Sequence, residues 1–127
     1  MPAIIVSDTE QERLVALAMA VIGRSPDIAE DLLEQMDRAI VVDGDSIPAN
    51  VVRMGSVVRY RTDDGRERRV TLVYSGAADI AEGKISILTP VGTALIGLAE
   101  GQSIAWRTTD GRERELTVLE VRNDARD

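Results

Sequence analysis

The amino-acid sequence predicts an α+β fold, in which a short antiparallel helical hairpin precedes a twisted antiparallel sheet of about five strands with one short helix. Three observations support this prediction. Apolar residues recur at helical spacing over residues 9–40, turn-forming residues fill 41–48, and apolar and polar residues alternate with the period of strands beyond that linker. We therefore expect two regions: residues 1–45, with a short N-terminal strand, the hairpin and the linker, and residues 46–127, with the sheet.

The helical hairpin is predicted from its caps and its apolar stripes. Ser7 or Asp8 caps a first helix over residues 9–22, whose apolar positions are Leu14, Leu17, Ala18 and Val21. Gly23 ends that helix, and Ser25 with Pro26 opens a second one over residues 26–40. The second apolar stripe is predicted to comprise Ile28, Leu32, Leu33, Met36 and Ala39. Each arm is then only about 20 Å long.

The sheet is predicted from two nearly repeated segments. RTDDGRERRVT at residues 61–71 and RTTDGRERELT at residues 107–117 each place Asp-Gly between strand-like runs, as β-hairpins require. A further strand is expected at residues 85–88, a short helix at 93–97, and a return to the sheet at 101–104. The residues that cover one sheet face are predicted to be Ala94, Leu95, Ile96 and Leu98.

Composition excludes several classes of function. The 127 residues include no cysteine and no histidine, which removes thiolate and imidazole metal sites and every histidine-based catalytic triad. A formal net charge of −7 argues against direct binding to nucleic acid, because such binding depends on lysine and arginine at phosphates. No apolar run has the length of a membrane span. We expect a soluble, cytoplasmic, non-enzymatic protein, whose acidity serves either solubility or a basic protein partner.

Acidic residues near the hairpin turn are the first candidates for a site. Asp27 and Glu30 lie three residues apart on one helical face beside Asp31, and carboxylates in such a group can bind Mg²⁺. Acidic residues in a first helical turn are also expected because they complement the helix dipole. We favour that structural role and predict no metal, no cofactor and no catalytic residue.

The second candidate is the segment Thr89, Pro90, Val91 and Gly92. A proline and a glycine between a strand and a helix fix the backbone and present small groups on a rigid turn. Rigid turns beside a sheet are good docking surfaces. A purely structural turn explains these residues as well, and the residue pattern leaves both interpretations open. Trp106 is predicted to be a packing residue.

Three segments in the second half of the chain resemble a known family. Residues 83–87, 89–98 and 101–104 are similar to the C-terminal signature of the Gre transcript-elongation factors, which has a Ser-Pro-Leu-Gly turn, an Ala-Leu-Leu-Gly helix and a Val-Gly-Asp. This chain differs from the signature at three positions, where Thr89 replaces Ser, Val91 replaces Leu and Gln102 replaces Asp. The resemblance extends over residues 50–121. Within the family, the start of the chain and its linker are most similar to the Rnk-type regulators of nucleoside diphosphate kinase.

The resemblance implies a fold and a partner. It implies an FKBP-like fold for residues 46–127 and docking on RNA polymerase at the rim of the secondary channel. We expect the protein to be a monomer. The docking residues implied are Thr89, Pro90, Val91 and Gly92. The tip of the hairpin, with Arg24, Asp27 and Glu30, would be directed toward the mouth of the channel.

Cleavage factors of this family carry an Asp-x-x-Glu pair at the tip of a long coiled coil, and Asp27 and Glu30 have the same spacing. Arms of about 20 Å are roughly half as long as those of the cleavage factors. We therefore expect a competitor of Gre-type factors that does not stimulate transcript cleavage. The alternatives are an active cleavage factor, a regulator of a nucleoside diphosphate kinase, and a prolyl isomerase; the last needs an aromatic-lined pocket, and this chain has two tyrosines and one tryptophan.

Overall fold

The computed structural model describes residues 3–107 and 111–123. The second predicted Asp-Gly turn falls partly on residues 108–110, outside the described residues. Three helices are present, α1 (Asp8–Val21), α2 (Pro26–Arg38) and α3 (Pro90–Leu95), within the described part of the chain. The strands of that part are β1 (Ile5–Ser7), β2 (Ile40–Val42), β3 (Val57–Thr62), β4 (Glu67–Val73), β5 (Lys84–Ser86), β6 (Ser103–Arg107) and β7 (Glu113–Arg122).

The antiparallel hairpin of α1 and α2 forms with the predicted first cap. The Ser7 hydroxyl oxygen accepts a hydrogen bond from the Glu10 backbone N–H at 3.0 Å. Pro26 opens α2 as expected, but the side chain of Ser25 makes no capping bond. With 14 and 13 residues, the helices are about 20 Å long. The predicted end of α2 at residue 40 was two residues too long, because Ile40 begins β2 and pairs in parallel with Ile5.

The seam of the hairpin differs from the predicted one on α2. On α1, Leu14, Ala18 and Val21 are buried as expected, whereas Leu17 is only partly buried. On α2 the buried residues are Ala29, Leu32, Gln35 and Met36, while Ile28, Leu33 and Ala39 are only partly buried. The helix is thus rotated relative to the predicted stripe, and this rotation brings the polar Gln35 into the interior.

The main sheet has five strands in the order β5-β4-β3-β7-β6. β3 lies between β4 and β7 and is antiparallel to both, and β6 pairs antiparallel with β7. The predicted fold class is confirmed, with one difference at an edge, where β5 pairs in parallel with β4. Two short 3-10 turns between these strands carry the chain back so that β5 runs in the same direction.

Helix α3 covers the sheet and also meets the hairpin. Ala94, Leu95, Ile96 and Leu98 are buried as predicted, and α3 begins at Pro90, three residues before its expected start. Gly97 follows α3 with φ of +83°, and its carbonyl accepts a hydrogen bond from Ile5 N–H at 3.0 Å. One hydrophobic core therefore includes residues of both the hairpin and the sheet. No helix of the described residues has the length and apolarity needed to cross a membrane.

Candidate functional site

The segment that follows β5 is held in place by side-chain hydrogen bonds at its start. The Thr89 hydroxyl donates to the Ser86 carbonyl at 2.7 Å and accepts from the Gly92 backbone N–H at 3.0 Å. The Thr93 hydroxyl donates to the Ile87 carbonyl at 2.9 Å. Thr89 is thus the N-cap of α3, and Pro90 occupies the first helical position, where its missing N–H costs nothing.

The four predicted docking residues divide into an exposed set and a buried one. Thr89, Pro90 and Val91 are partly exposed, whereas Gly92 is buried. A Cβ atom at Gly92 would lie 2.3 Å from the Ser86 carbonyl oxygen, so no larger residue fits there without a shift of backbone. Gly92 therefore allows the close approach of α3 to β5, and the surface available to a partner comes from the other three residues.

Gln35 connects this segment to the hairpin. Its Nε2 donates to the Thr93 carbonyl at 3.2 Å, and its Oε1 accepts from Arg38 Nε at 2.8 Å. Thr93 lies in the last turn of α3, where carbonyl groups lack partners within the helix. Because Gln35 is only 7% exposed, this bond is shielded from water. Sequence reasoning missed Gln35; its one signal was its position beside Leu32 and Met36 on the helical face that packs inward.

A second polar contact joins the N-terminal end of α1 to the sheet region. Glu10 Oε2 lies 3.7 Å from Arg53 Nε, and the Arg13 guanidinium lies 4.6 Å from the centre of the Tyr74 ring. Burial raises the pKa of the Glu10 carboxyl above 4.5, although Arg53 acts in the opposite direction. The hairpin is thus tied to the rest of the chain near both the start of α1 and the end of α2.

The tip of the hairpin presents its charges to solvent. Arg24, Asp27 and Glu30 are all exposed. Among the described residues, no group of three or more acidic side chains is placed to hold a metal ion. The Asp27 and Glu30 pair retains its predicted spacing on one helical face.

Charged residues of the two β-hairpins form ion pairs, in which Arg114 of β7 meets the acidic turn between β3 and β4. Arg114 Nε lies 2.9 Å from Asp63 Oδ1, and Arg114 Nη2 lies 3.1 Å from Asp64 Oδ2. Hydrogen bonds from Thr62 and from the Arg66 backbone lower the pKa of Asp64 to about 2. These ion pairs lie near the surface and connect the two β-hairpins.

Comparison with known proteins assigns the family. Residues 47–123, more than half of the chain, match the family model for the C-terminal domain of transcription elongation factors GreA and GreB. The chain belongs to the Gre family. The Regulator of nucleoside diphosphate kinase of Escherichia coli K12 is 36% identical over 104 residues, which are 81% of this chain and 76% of that protein. The Rnk-type resemblance is thereby confirmed.

Other Gre-family relatives match in different ways. Transcription elongation factor GreA of Thermodesulfovibrio yellowstonii is 40% identical over 76 residues, which are 59% of this chain but only 48% of that protein. A solved structure described as prokaryotic transcription elongation factor GreA/GreB from Nitrosomonas europaea is 39% identical, with a TM-score of 0.75 over 94% of this chain and 99% of that one. Gfh1 of Thermus aquaticus, at 20% identity and a TM-score of 0.53, shares the fold.

Proposed function

We propose that this Gre-family protein binds RNA polymerase near the secondary channel and competes there with Gre-type factors. Residues 46–127 are the docking domain, and Thr89, Pro90 and Val91 form its contact surface. The observation that supports this proposal most is the rigidity of that surface, since the Thr89 hydroxyl bonds both to β5 and to α3. A surface already fixed before binding loses little conformational freedom when a partner docks. The protein acts as a monomer in the cytoplasm, where polymerase works.

The same proposal assigns the hairpin a role without catalysis. Helices of 14 and 13 residues give arms of about 20 Å, too short for the exposed Asp27 and Glu30 to reach a distant active centre. Mg²⁺ bound by two carboxylates usually needs further ligands from its surroundings. The hairpin tip therefore blocks the channel entrance sterically and does not deliver a metal ion.

Binding to core RNA polymerase tests the docking surface. The double variant T89S/P90A keeps a hydroxyl for the N-cap, so the fold should be preserved while the contact surface changes. We expect its affinity for core polymerase to fall about tenfold. Pro48 is exposed in the linker and is absent from the contact surface, so P48A is the matched control and should bind as the wild type does.

A cleavage assay tests the second part of the proposal. Backtracked polymerase with the purified protein should cleave its transcript no faster than polymerase alone, and should respond less to an added cleavage factor. Faster cleavage by this protein, lost in Asp27→Ala, would mean that it is an active cleavage factor.

The name of the Escherichia coli relative favours a second candidate, regulation of a nucleoside diphosphate kinase. Purification of the protein with its partners from cell lysate separates the two candidates. Polymerase subunits are expected from the proposed function, and recovery of a nucleoside diphosphate kinase without polymerase would favour the second.

A further inference from the structure

The outer edge of β2 carries backbone groups that the fold does not use. β2 pairs in parallel with β1, and Ile40 lies opposite Ile5. The Ile40 N–H donates to the Ile4 carbonyl at 2.8 Å. Because alternate residues of a strand bond to the same neighbour, Val41 directs its N–H and C=O away from β1. Within the described part of the chain, no third strand pairs with that edge.

The unused edge continues one residue beyond each end of β2. Ala39 and Asp43 are also extended, with ψ of 147° and 148°. By the same alternation, the Ala39 C=O and the Asp43 N–H lie on the side of Val41. None of these four backbone groups has a hydrogen-bond partner among the described residues. In chain order they are acceptor, donor, acceptor and donor, which is the set that one further parallel strand would satisfy with two alternate residues.

The side chains at this edge are apolar and accessible. Ile40 is 52% exposed and Val41 is 41% exposed, and they project from opposite faces of the strand. Folded proteins usually cover such an edge or interrupt it, because an open strand with apolar side chains pairs readily with another chain. A segment laid along β2 would remove apolar surface from water on both faces of the sheet.

The edge is flanked by acidic side chains. Asp37, Asp43 and Asp45 are exposed, and none of them forms a salt bridge with a described residue. The sequence has no lysine or arginine between Arg38 and Arg53, and both of these arginines have partners elsewhere. The edge therefore attracts a basic segment and repels a second copy of this chain, which would bring the same aspartates close to each other.

We propose that an extended segment of a partner protein, with apolar residues between lysines or arginines, pairs in parallel with β2 as a third strand of the β1–β2 sheet. Backbone hydrogen bonds hold the segment, its apolar side chains cover Ile40 and Val41, and its cations lie near the flanking aspartates. This edge shares no residue with the proposed docking surface of residues 89–91. The inference therefore goes beyond the proposed function and does not depend on polymerase binding.

The first test uses the peptide Lys-Val-Thr-Val-Lys, acetylated and amidated at its ends, which is added to ¹⁵N-labelled protein. We expect saturable shifts of the Val41 and Asp43 N–H peaks and slower hydrogen exchange at both amides. The peptide Glu-Val-Thr-Val-Glu should bind at least tenfold more weakly, because its charges face the aspartates. A Lys-Val-Thr-Val-Lys peptide N-methylated at every residue lacks the backbone donors and should also bind at least tenfold more weakly. Equal binding by either control peptide would overturn the proposal.

The second test changes the protein. V41P removes the outward N–H but no bond to β1, as an edge strand tolerates, so the variant should fold and bind the lysine peptide at least tenfold more weakly. D43N/D45N should bind it severalfold more weakly and with less dependence on salt; the Asp43 side chain makes no capping bond whose loss would disturb the fold. D27N/E30Q, with the same change in charge at the hairpin tip, should bind as the wild type does.

Two results would contradict this assignment. The first is binding of the lysine peptide by V41P with wild-type affinity. The second is a dimer of the wild type in analytical ultracentrifugation that V41P converts to a monomer, since the edge would then be occupied by a second copy. If V41P does not fold, the N-methylated peptide decides the question, because it removes the same class of hydrogen bond from the other partner.

Discussion

Replacement of Gln35 by methionine tests how the hairpin is held against α3 and the sheet region. Methionine has nearly the same length and volume but cannot donate or accept the two hydrogen bonds that Gln35 makes with Thr93 and Arg38. The Thr93 carbonyl would then stay buried without its partner. A buried acceptor left in that state costs about 1 to 3 kcal/mol. In a domain of this size, each 1 kcal/mol lowers Tm by about 3 to 5 °C.

The measurement is urea unfolding and thermal unfolding followed by circular dichroism, with amide hydrogen exchange over α1 and α2. We expect the free energy of unfolding of Q35M to fall by about 1 to 3 kcal/mol, and the amides of α1 and α2 to exchange faster than in the wild type. Gln11→Met is the matched control. Gln11 Nε2 donates to the Met36 carbonyl at 3.3 Å, but its side chain is partly exposed, so water can replace the bond and the loss should stay below about 1 kcal/mol. A Q35M protein as stable as the wild type, or a Q11M protein equally destabilised, would refute this account of the interface.

Two further predictions concern stability. Gly97→Ala should lower the free energy of unfolding by more than about 1 kcal/mol, because φ there is +83° and the new Cβ would lie 2.8 Å from Ile4 Cβ. Gly23→Ala is the control, since Gly23 has open space around it and no positive φ. Its free energy of unfolding in urea should change by less than about 0.5 kcal/mol. Glu10→Gln tests a pH dependence. The folded-state pKa of Glu10 is raised, so protonation of its carboxyl stabilises the folded protein. This contribution to the free energy of unfolding is fully present below pH 4.5 and declines as pH rises above that value. The stability of E10Q relative to the wild type should therefore increase from pH 4 to pH 7. An equal pH profile for both proteins would contradict the burial of this carboxyl.

Local signals in the sequence were sufficient for most of the secondary structure. The cap at Ser7, the start of α2 at Pro26 and the hairpin turn at Asp64-Gly65 depend on residues within four positions of each other. The four apolar residues at and after the end of α3 were also predicted correctly as the cover of the sheet.

Features that depend on contacts distant in sequence could not be predicted in the same way. The parallel pairing of β5 arises from the path of residues 74–83, which carries no periodic signal. Gln35 has an ordinary polar side chain, and its importance comes from Thr93, 58 residues away. The Nε1 of Trp106 is buried without a hydrogen-bond partner in the described structure, which no local pattern in the sequence indicates. The turn of residues 89–92 was identified as a candidate site, but the burial of Gly92 required the position of the Ser86 carbonyl.

The central claim is that residues 89–91 dock this protein on RNA polymerase. The most direct test is the equilibrium affinity of purified core polymerase for the wild type, for T89S/P90A and for P48A, measured at one salt concentration with folding confirmed for each protein. The account predicts that the wild type and P48A bind equally and that T89S/P90A binds about tenfold more weakly. Equal binding by all three proteins would show that this surface is not where polymerase is held.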